Sequence, residues 1–297
     1  MRLRILKDYL SSKLMLAATL FSALLIVFIT IGLFIKSGPI LQQKPLNELL
    51  FSSSWHPMRG EFGFLPFIMG TLWVTVVAMV LAIPLCLLTS IYFAEYMPKR
   101  ARTVFKPMID LLAGIPSVVY GLWGIIVVVP LVRAIAPLFG SNTSGYCVLS
   151  GGIVLAIMVF PVIIAISEEV IRTVPGEMRV ASLALGATKW QATRLVVIRG
   201  AAPGIIAAII LGFSRAFGET MAVLMVVGNT VKIPSSLFDA AYPLTALIAN
   251  NYGEMMSVPL YDSALMFGAL ILLVIVFLFN IGARLIMTGI YRRQNGG

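Results

Sequence analysis

Long apolar blocks fill this chain, each close to the 20 or so residues that carry a helix across a hydrocarbon core, and almost every charged residue lies between them. Apolar residues make up 60% of the sequence and charged residues 11%, with a mean hydropathy of +1.00. A chain of 297 residues cannot bury that much apolar side chain in one water-soluble core. The expected class is an all-α polytopic integral membrane protein. Disorder, a disulfide scaffold and a collagen-like fibre are excluded by the same composition.

Six blocks are long enough to cross. The first runs from Leu14 to Ile35 and the second lies between Glu61 and Glu95, with Phe62 to Pro66 as an interfacial lead-in. The others are Leu111 to Val132, Tyr146 to Ile166, Ala201 to Gly228 and Ser263 to Ala283. The first has basic residues ahead of it, as a signal peptide does, but it is longer than the 7–15 residues of a typical signal-peptide apolar region and lacks a small-residue cleavage site. It is read as a retained helix. This divides the chain into an N-terminal segment (1–13), a first span (14–35), an external loop (36–63), a core (64–290) and a tail (291–297).

Lys and Arg fall mostly on one side. That side holds Arg2, Arg4, Lys7 and Lys13, then Lys99, Arg100, Arg102 and Lys106, then Arg172, Arg179, Lys189, Arg194 and Arg199, and finally Arg284, Arg292 and Arg293. The other side holds only Lys36, Lys44, Arg59, Arg133 and Lys232. The positive-inside rule then places both termini in the cytoplasm. The net charge of +10 is topology signal, and no basic groove for nucleic acid is needed to explain it. Membrane lipid is the expected surrounding. Cys86 and Cys147 read as small buried hydrophobes, and with His56 the only histidine a His-based metal site or catalytic triad is not expected.

Two connections are more elaborate than links. Within the cytoplasmic one, 172–200, Pro175 suits a helix start and Glu177 the positive end of its dipole. Gly186 suits a left-handed stop, and Thr188 to Gln191 form a capping box that opens a second helix. A charged interfacial loop that only enforces topology is the alternative. The external stretch, 229–262, is apolar but broken by Pro234, Pro243 and Pro259. A re-entrant or interfacial helix packed on the bundle fits it, either touching an external partner or simply capping the bundle.

Within the fifth block stand Arg215 and Glu219. Four residues apart on a helix, they would share a face and neutralise each other. An arginine at membrane depth is costly, and such residues turn toward a cavity or a partner helix; its planar fork also suits a tetrahedral oxyanion. A substrate-pathway role is therefore expected for both. Gly200 and Gly204, with Gly114, Gly121 and Gly124, offer close helix approach, and Pro84, Pro116, Pro130 and Pro161 offer bends. No phosphate-binding loop of the GxxxxGK[ST] form is present, nor HExxH or GxSxG, so any nucleotide site belongs to another chain.

Val180–Ala181–Ser182, Gly186 and the run Val196, Ile198, Arg199 resemble the EAA loop of bacterial ABC importer permeases, with Val180 in place of the usual glutamate and Arg199 in place of the usual proline. Ser214 to Val223, Leu112 to Gly124 and Leu244 to Asn250 look like segments of the phosphate importer's permeases. The Met221–Ala222–Val223 continuation points to the PstC type, with a PstA-type role or another oxyanion (sulfate, molybdate) as alternatives. An ATP-independent anion channel or carrier is the alternative from a different class.

The resemblance implies a type I, MetI-like permease fold with six transmembrane helices in the bacterial inner membrane, and import of inorganic phosphate. It implies a PstA-type sister permease, a cytoplasmic ATPase dimer that holds ATP and magnesium, and a periplasmic or lipid-anchored phosphate-binding protein. It places Arg215 and Glu219 at positions implicated in transport. It assigns Glu177, Ala181, Ser182, Gly186, Ala187, Lys189 and Trp190 to coupling with the ATPase, leaving this chain itself without cofactor or enzymatic activity.

Overall fold

The computed structural model describes residues 2–254 and 257–295. Met255 and Met256 of the external stretch, Met1, and Gly296 and Gly297 of the expected tail lie outside the described residues, as do the side chains of Arg2, Arg4, Arg292 and Arg293.

Six described helices are long and apolar enough to cross a membrane: Tyr9–Gln43, Leu65–Tyr96, Ser117–Phe139, Val148–Thr173, Lys189–Gly218 and Tyr261–Gly289, here called spans one to six. The first belongs to a continuous helix from Arg2 to Gln43, so the start of the expected loop 36–63, through Gln43, is helical. Pro39 lies inside that helix without breaking it, because span six supplies a clamp. The Ser263 hydroxyl donates to the Lys36 carbonyl (3.1 Å) and accepts from the Ile40 N–H (3.2 Å), bridging one rung of the helical ladder. The rest of the loop is the short helix Leu46–Phe51 and a small antiparallel hairpin, Trp55–His56 with Glu61–Phe62. At the other end, the helix of span six continues to Asn295, so the described part of the expected tail is helical as well.

Span three does not begin at Leu111. Ile115 precedes Pro116, a position hostile to helix, and the chain is extended at Pro116 (φ −60°, ψ 143°). Leu111 to Ala113 instead close a separate helix, Lys99–Ala113, which buries none of its residues. Its one apolar flank runs straight into the apolar start of span three, which is why hydropathy merged the two. Further along, span three passes through a π-turn at Gly124–Val128 just before Pro130, a local widening of the helix ahead of a residue that cannot donate.

Spans two and four form the centre. Val74, Ala78 and Met79 pack against Leu155, Val159 and Ile163 in one buried cluster. Apolar lipid gives little reward for burying apolar side chains, so close backbone approach must supply much of the contact. Gly204 of span five illustrates it: a β-carbon there would overlap the Val170 side chain of span four. A second cluster joins Phe64, Phe67, Leu244, Leu247 and Phe267, with Trp55 edge-on to Phe64 and Phe67 at 5.3 and 4.9 Å.

Candidate functional site: a broken helix and a helical hairpin

Span five ends at Gly218, ten residues short of the block's expected end at Gly228. Glu219 is extended (φ −71°, ψ 129°) and a short second helix runs from Met221 to Val226. Glycine is a poor helix residue, and here the following carboxylate takes over the start of the next helix. Glu219 Oε1 accepts from the N–H groups of Thr220 (3.1 Å) and Ala222 (3.4 Å), an N-terminal capping role that the helix dipole favours. The expected pairing of Arg215 with Glu219 on one helix face is thereby corrected: the helix that would have aligned them stops between them. Arg215 is exposed and makes no hydrogen bond or ion pair with the described residues.

Three segments separated in sequence meet at this break. Tyr120 of span three lies within electrostatic range of Arg215 and donates its hydroxyl to the Leu112 carbonyl (2.8 Å). Gly121 packs on Ala222 and Met225, and Gly124 on Val226. From the stretch 229–262, where a packed helix is expected, comes the helix Leu244–Asn251, whose first residues are buried. Thr245 donates its hydroxyl to the Glu219 carbonyl (3.0 Å), and the Leu244 N–H donates to the Thr71 hydroxyl of span two (2.9 Å). Thr71, Thr75, Glu219 and Thr245 line a cavity no larger than one water molecule. Backbone freed at membrane depth is tolerable only where protein or a water-lined space satisfies it, and the Thr71 and Thr245 hydroxyls do that here. The sequence singles out Arg215 and Glu219 but not Tyr120, Thr71 and Thr245, whose signal is only an ordinary hydroxyl inside an apolar run.

Outside the spans, the stretch 229–262 is held by a turn around Asp239. The Ser235 hydroxyl (2.8 Å) and N–H (2.9 Å) and the Ser236 N–H (3.1 Å) all donate to its carboxylate. These hydrogen bonds, with Lys232 nearby, hold the Asp239 carboxyl below its ordinary value of 3.8.

The hairpin of 172–200 forms as the sequence predicts at its turn. Pro175 precedes a helix from Gly176 to Ala184, Gly186 adopts φ +84°, and Thr188 and Gln191 make both bonds of a capping box. Its second arm is no separate helix, however. It opens span five, which runs unbroken from Lys189 to Gly218 with a π-turn at Thr193–Val197. The first arm buries no residue. Glu177, Ala181, Gly186, Lys189 and Trp190 are exposed, and Ser182 and Ala187 half-buried. Around them Val180 and Leu185 are 67% and 89% exposed, an apolar tip on the hairpin.

Comparison with known proteins gives this arrangement relatives. The family described as binding-protein-dependent transport system inner membrane component matches residues 86–295. The probable ABC transporter permease protein YqgH of Bacillus subtilis (strain 168) is 41% identical over 234 residues, covering 78% of this chain and 74% of that protein. The phosphate transport system permease protein PstC of Xylella fastidiosa (strain Temecula1) is 33% identical over 302 residues, covering 97% and 92%. The probable phosphate transport system permease protein PstC of Methanocaldococcus jannaschii is 34% identical over 280 residues, covering 87% and 88%. Among solved structures, a bacterial alginate ABC transporter in complex with its periplasmic protein matches with a TM-score of 0.65 at 14% identity, covering 95% of this chain and 96% of that one. An inward-facing MetNI methionine ABC transporter matches with a TM-score of 0.59 at 20% identity, covering 80% and 99%. At these identities the two structures speak to the fold alone.

Proposed function

The chain belongs to the family of binding-protein-dependent transport system inner membrane components, as a multi-pass permease subunit, and from that premise we propose that it is the PstC-type subunit of an ATP-driven importer of inorganic phosphate. Relatives of this family are transport permeases and are not themselves enzymes. ATP and magnesium belong, in this account, to a partner ATPase dimer in the cytoplasm. A PstA-type sister permease completes the path, and a phosphate-binding protein delivers the ion from outside. Both termini lie in the cytoplasm, as the Lys and Arg distribution requires.

One observation carries the reading: Arg215 stands exposed at the last turn before the break in span five, with Glu219 turned away to cap the following helix. A guanidinium free of its glutamate keeps its forked donors for a tetrahedral oxyanion. The exposed face calls for a second chain to close the path, as an internal charge in a membrane protein does. Arg215 and Glu219 thus act in the substrate pathway, Arg215 by contact and Glu219 by shaping the break. On the cytoplasmic side, Glu177, Ala181, Ser182, Gly186, Ala187, Lys189 and Trp190 form the surface that enters a groove on the ATPase. ATP-driven closure of the ATPases then pushes the hairpin, and the unbroken helix Lys189–Gly218 carries that push along span five to Arg215.

Uptake of labelled phosphate into vesicles bearing the assembled complex, with sulfate or molybdate as competitor, tests the substrate. The account expects competition by unlabelled phosphate and none by the other two at equal excess. Competition by sulfate or molybdate as strong as by phosphate would contradict it.

A further inference from the structure

The first arm of the hairpin is fastened by charge where it is not fastened by packing. It buries no residue, yet Arg179 at its centre makes four hydrogen bonds. Its Nε and Nη2 donate to Glu95 Oε1 at 3.0 and 2.7 Å, Nη2 donates also to the Ile171 carbonyl at 3.0 Å, and Nη1 donates to the Val174 carbonyl. Glu95 sits in the π-turn Tyr92–Tyr96 that ends span two, and its side chain is 8% exposed. Ile171 and Val174 belong to the end of span four and the residue just past it. A single guanidinium therefore ties the hairpin to spans two and four at once.

The elements it grips are themselves tied together. Arg102, on the helix Lys99–Ala113, donates from Nε to the Phe93 carbonyl (2.9 Å) and from Nη2 to the Ala94 carbonyl (3.0 Å), both in the turn that carries Glu95. The same Arg102 lies 3.7 Å from Glu168 of span four, which Lys106 and Arg172 also approach at 3.4 Å. The Glu168 side chain is 3% exposed. At the far end of the hairpin turn, Lys189 Nζ lies 4.4 Å from the centre of the Tyr96 ring, a second contact with the end of span two.

We propose that Arg179 is a positioning residue that pins the coupling hairpin to the cytoplasmic ends of spans two and four, so that a push on the hairpin moves those spans together with span five. This rests on the reading of the hairpin as the coupling element. Without the pin, the push has one outlet, the helix Lys189–Gly218, while the first arm swivels between Pro175 and Gly186. Because Glu95 is buried, neutralising its partner leaves a charge with nothing opposite, and the tie opens even where the hairpin itself stays folded.

The test uses the whole complex in vesicles with Arg179→Gln, and separately with Glu95→Gln. Assembly is checked by ATPase co-purification. The account expects the phosphate moved per ATP hydrolysed to fall about tenfold or more while ATP hydrolysis is kept within about twofold, a split between work and fuel that a purely structural ion pair does not produce. A Glu95→Cys, Arg179→Cys double variant should be uncoupled until a short thiol-reactive cross-linker joins the two, and then recover. A second readout is independent of what the complex transports: spin labels at Leu88 of span two and Leu183 of the hairpin. Their separation should hold constant on ATP binding in the unsubstituted pair and change in Arg179→Gln. An unchanged ratio of phosphate to ATP in assembled Arg179→Gln, or an ATP-driven change in label separation of equal size with and without the pin, overturns the proposal. If even the wild-type complex moves no phosphate, the substrate reading fails while the label distances still decide the pin.

Discussion

Glu219 stands one residue past the last turn of span five, and what it does there depends on its oxygen more than on its charge. Oε1 receives two backbone N–H groups, and a neutral amide oxygen can receive them too. Glu219→Gln is therefore expected to retain most uptake, whereas Glu219→Ala loses a cap worth about 1 kcal/mol and loosens the break, lowering uptake further. Had the residue served to neutralise Arg215, as its spacing alone argues, the glutamine variant would be the damaging one. Uptake assays of the two variants side by side separate these roles, and equal damage from both counts against the capping account.

At the scale of elements, the hairpin's shape is set by a few local choices. Gly186 turns the chain at φ +84°, a conformation that costs other residues about 1–2 kcal/mol. The capping box at Thr188 then starts the rod that becomes span five. Gly186→Val should leave the protein in the membrane yet cut uptake at least about fivefold, because strain at that turn is relieved by re-aiming the exposed tip. Normal uptake by an inserted Gly186→Val protein would show that the tip's aim does not matter.

These local signals were legible because each resides in a few adjacent residues. The start of span three was not: the apolar flank of Lys99–Ala113 continues into the apolar run after Pro116, and hydropathy alone does not separate a helix lying on the membrane from one crossing it. The ion-pair joint was also hidden. Arg102 and Arg179 read as topology signal and Glu95 only as the edge of an apolar block, since the contacts between Arg179 and Glu95 span 84 residues of sequence and only the packing of spans two and four brings them together.

For the whole molecule, spans two and four form a packed centre, the hairpin is bound to their ends, and span five runs as one helix from the hairpin to the break beside Arg215. Six crossings and the fold class followed from the blocks of the sequence. The break itself escaped, because Arg215 and Glu219 stand four residues apart and so fit one continuous helix as well as a broken one, and only tertiary partners such as Thr245 reveal that the helix ends there. A mechanical line from hairpin to arginine is what a permease driven by a partner's ATP hydrolysis needs.

The most direct test of that account is phosphate uptake by vesicles carrying Arg215→Gln, with ATPase co-purification and ATP hydrolysis measured on the same preparation. The account predicts an assembled complex that hydrolyses ATP and moves phosphate at least about tenfold more slowly, the loss of one charge-assisted contact to the anion costing about 1.5–3 kcal/mol. Uptake equal to that of the unsubstituted complex would contradict it, and would remove Arg215 from the path.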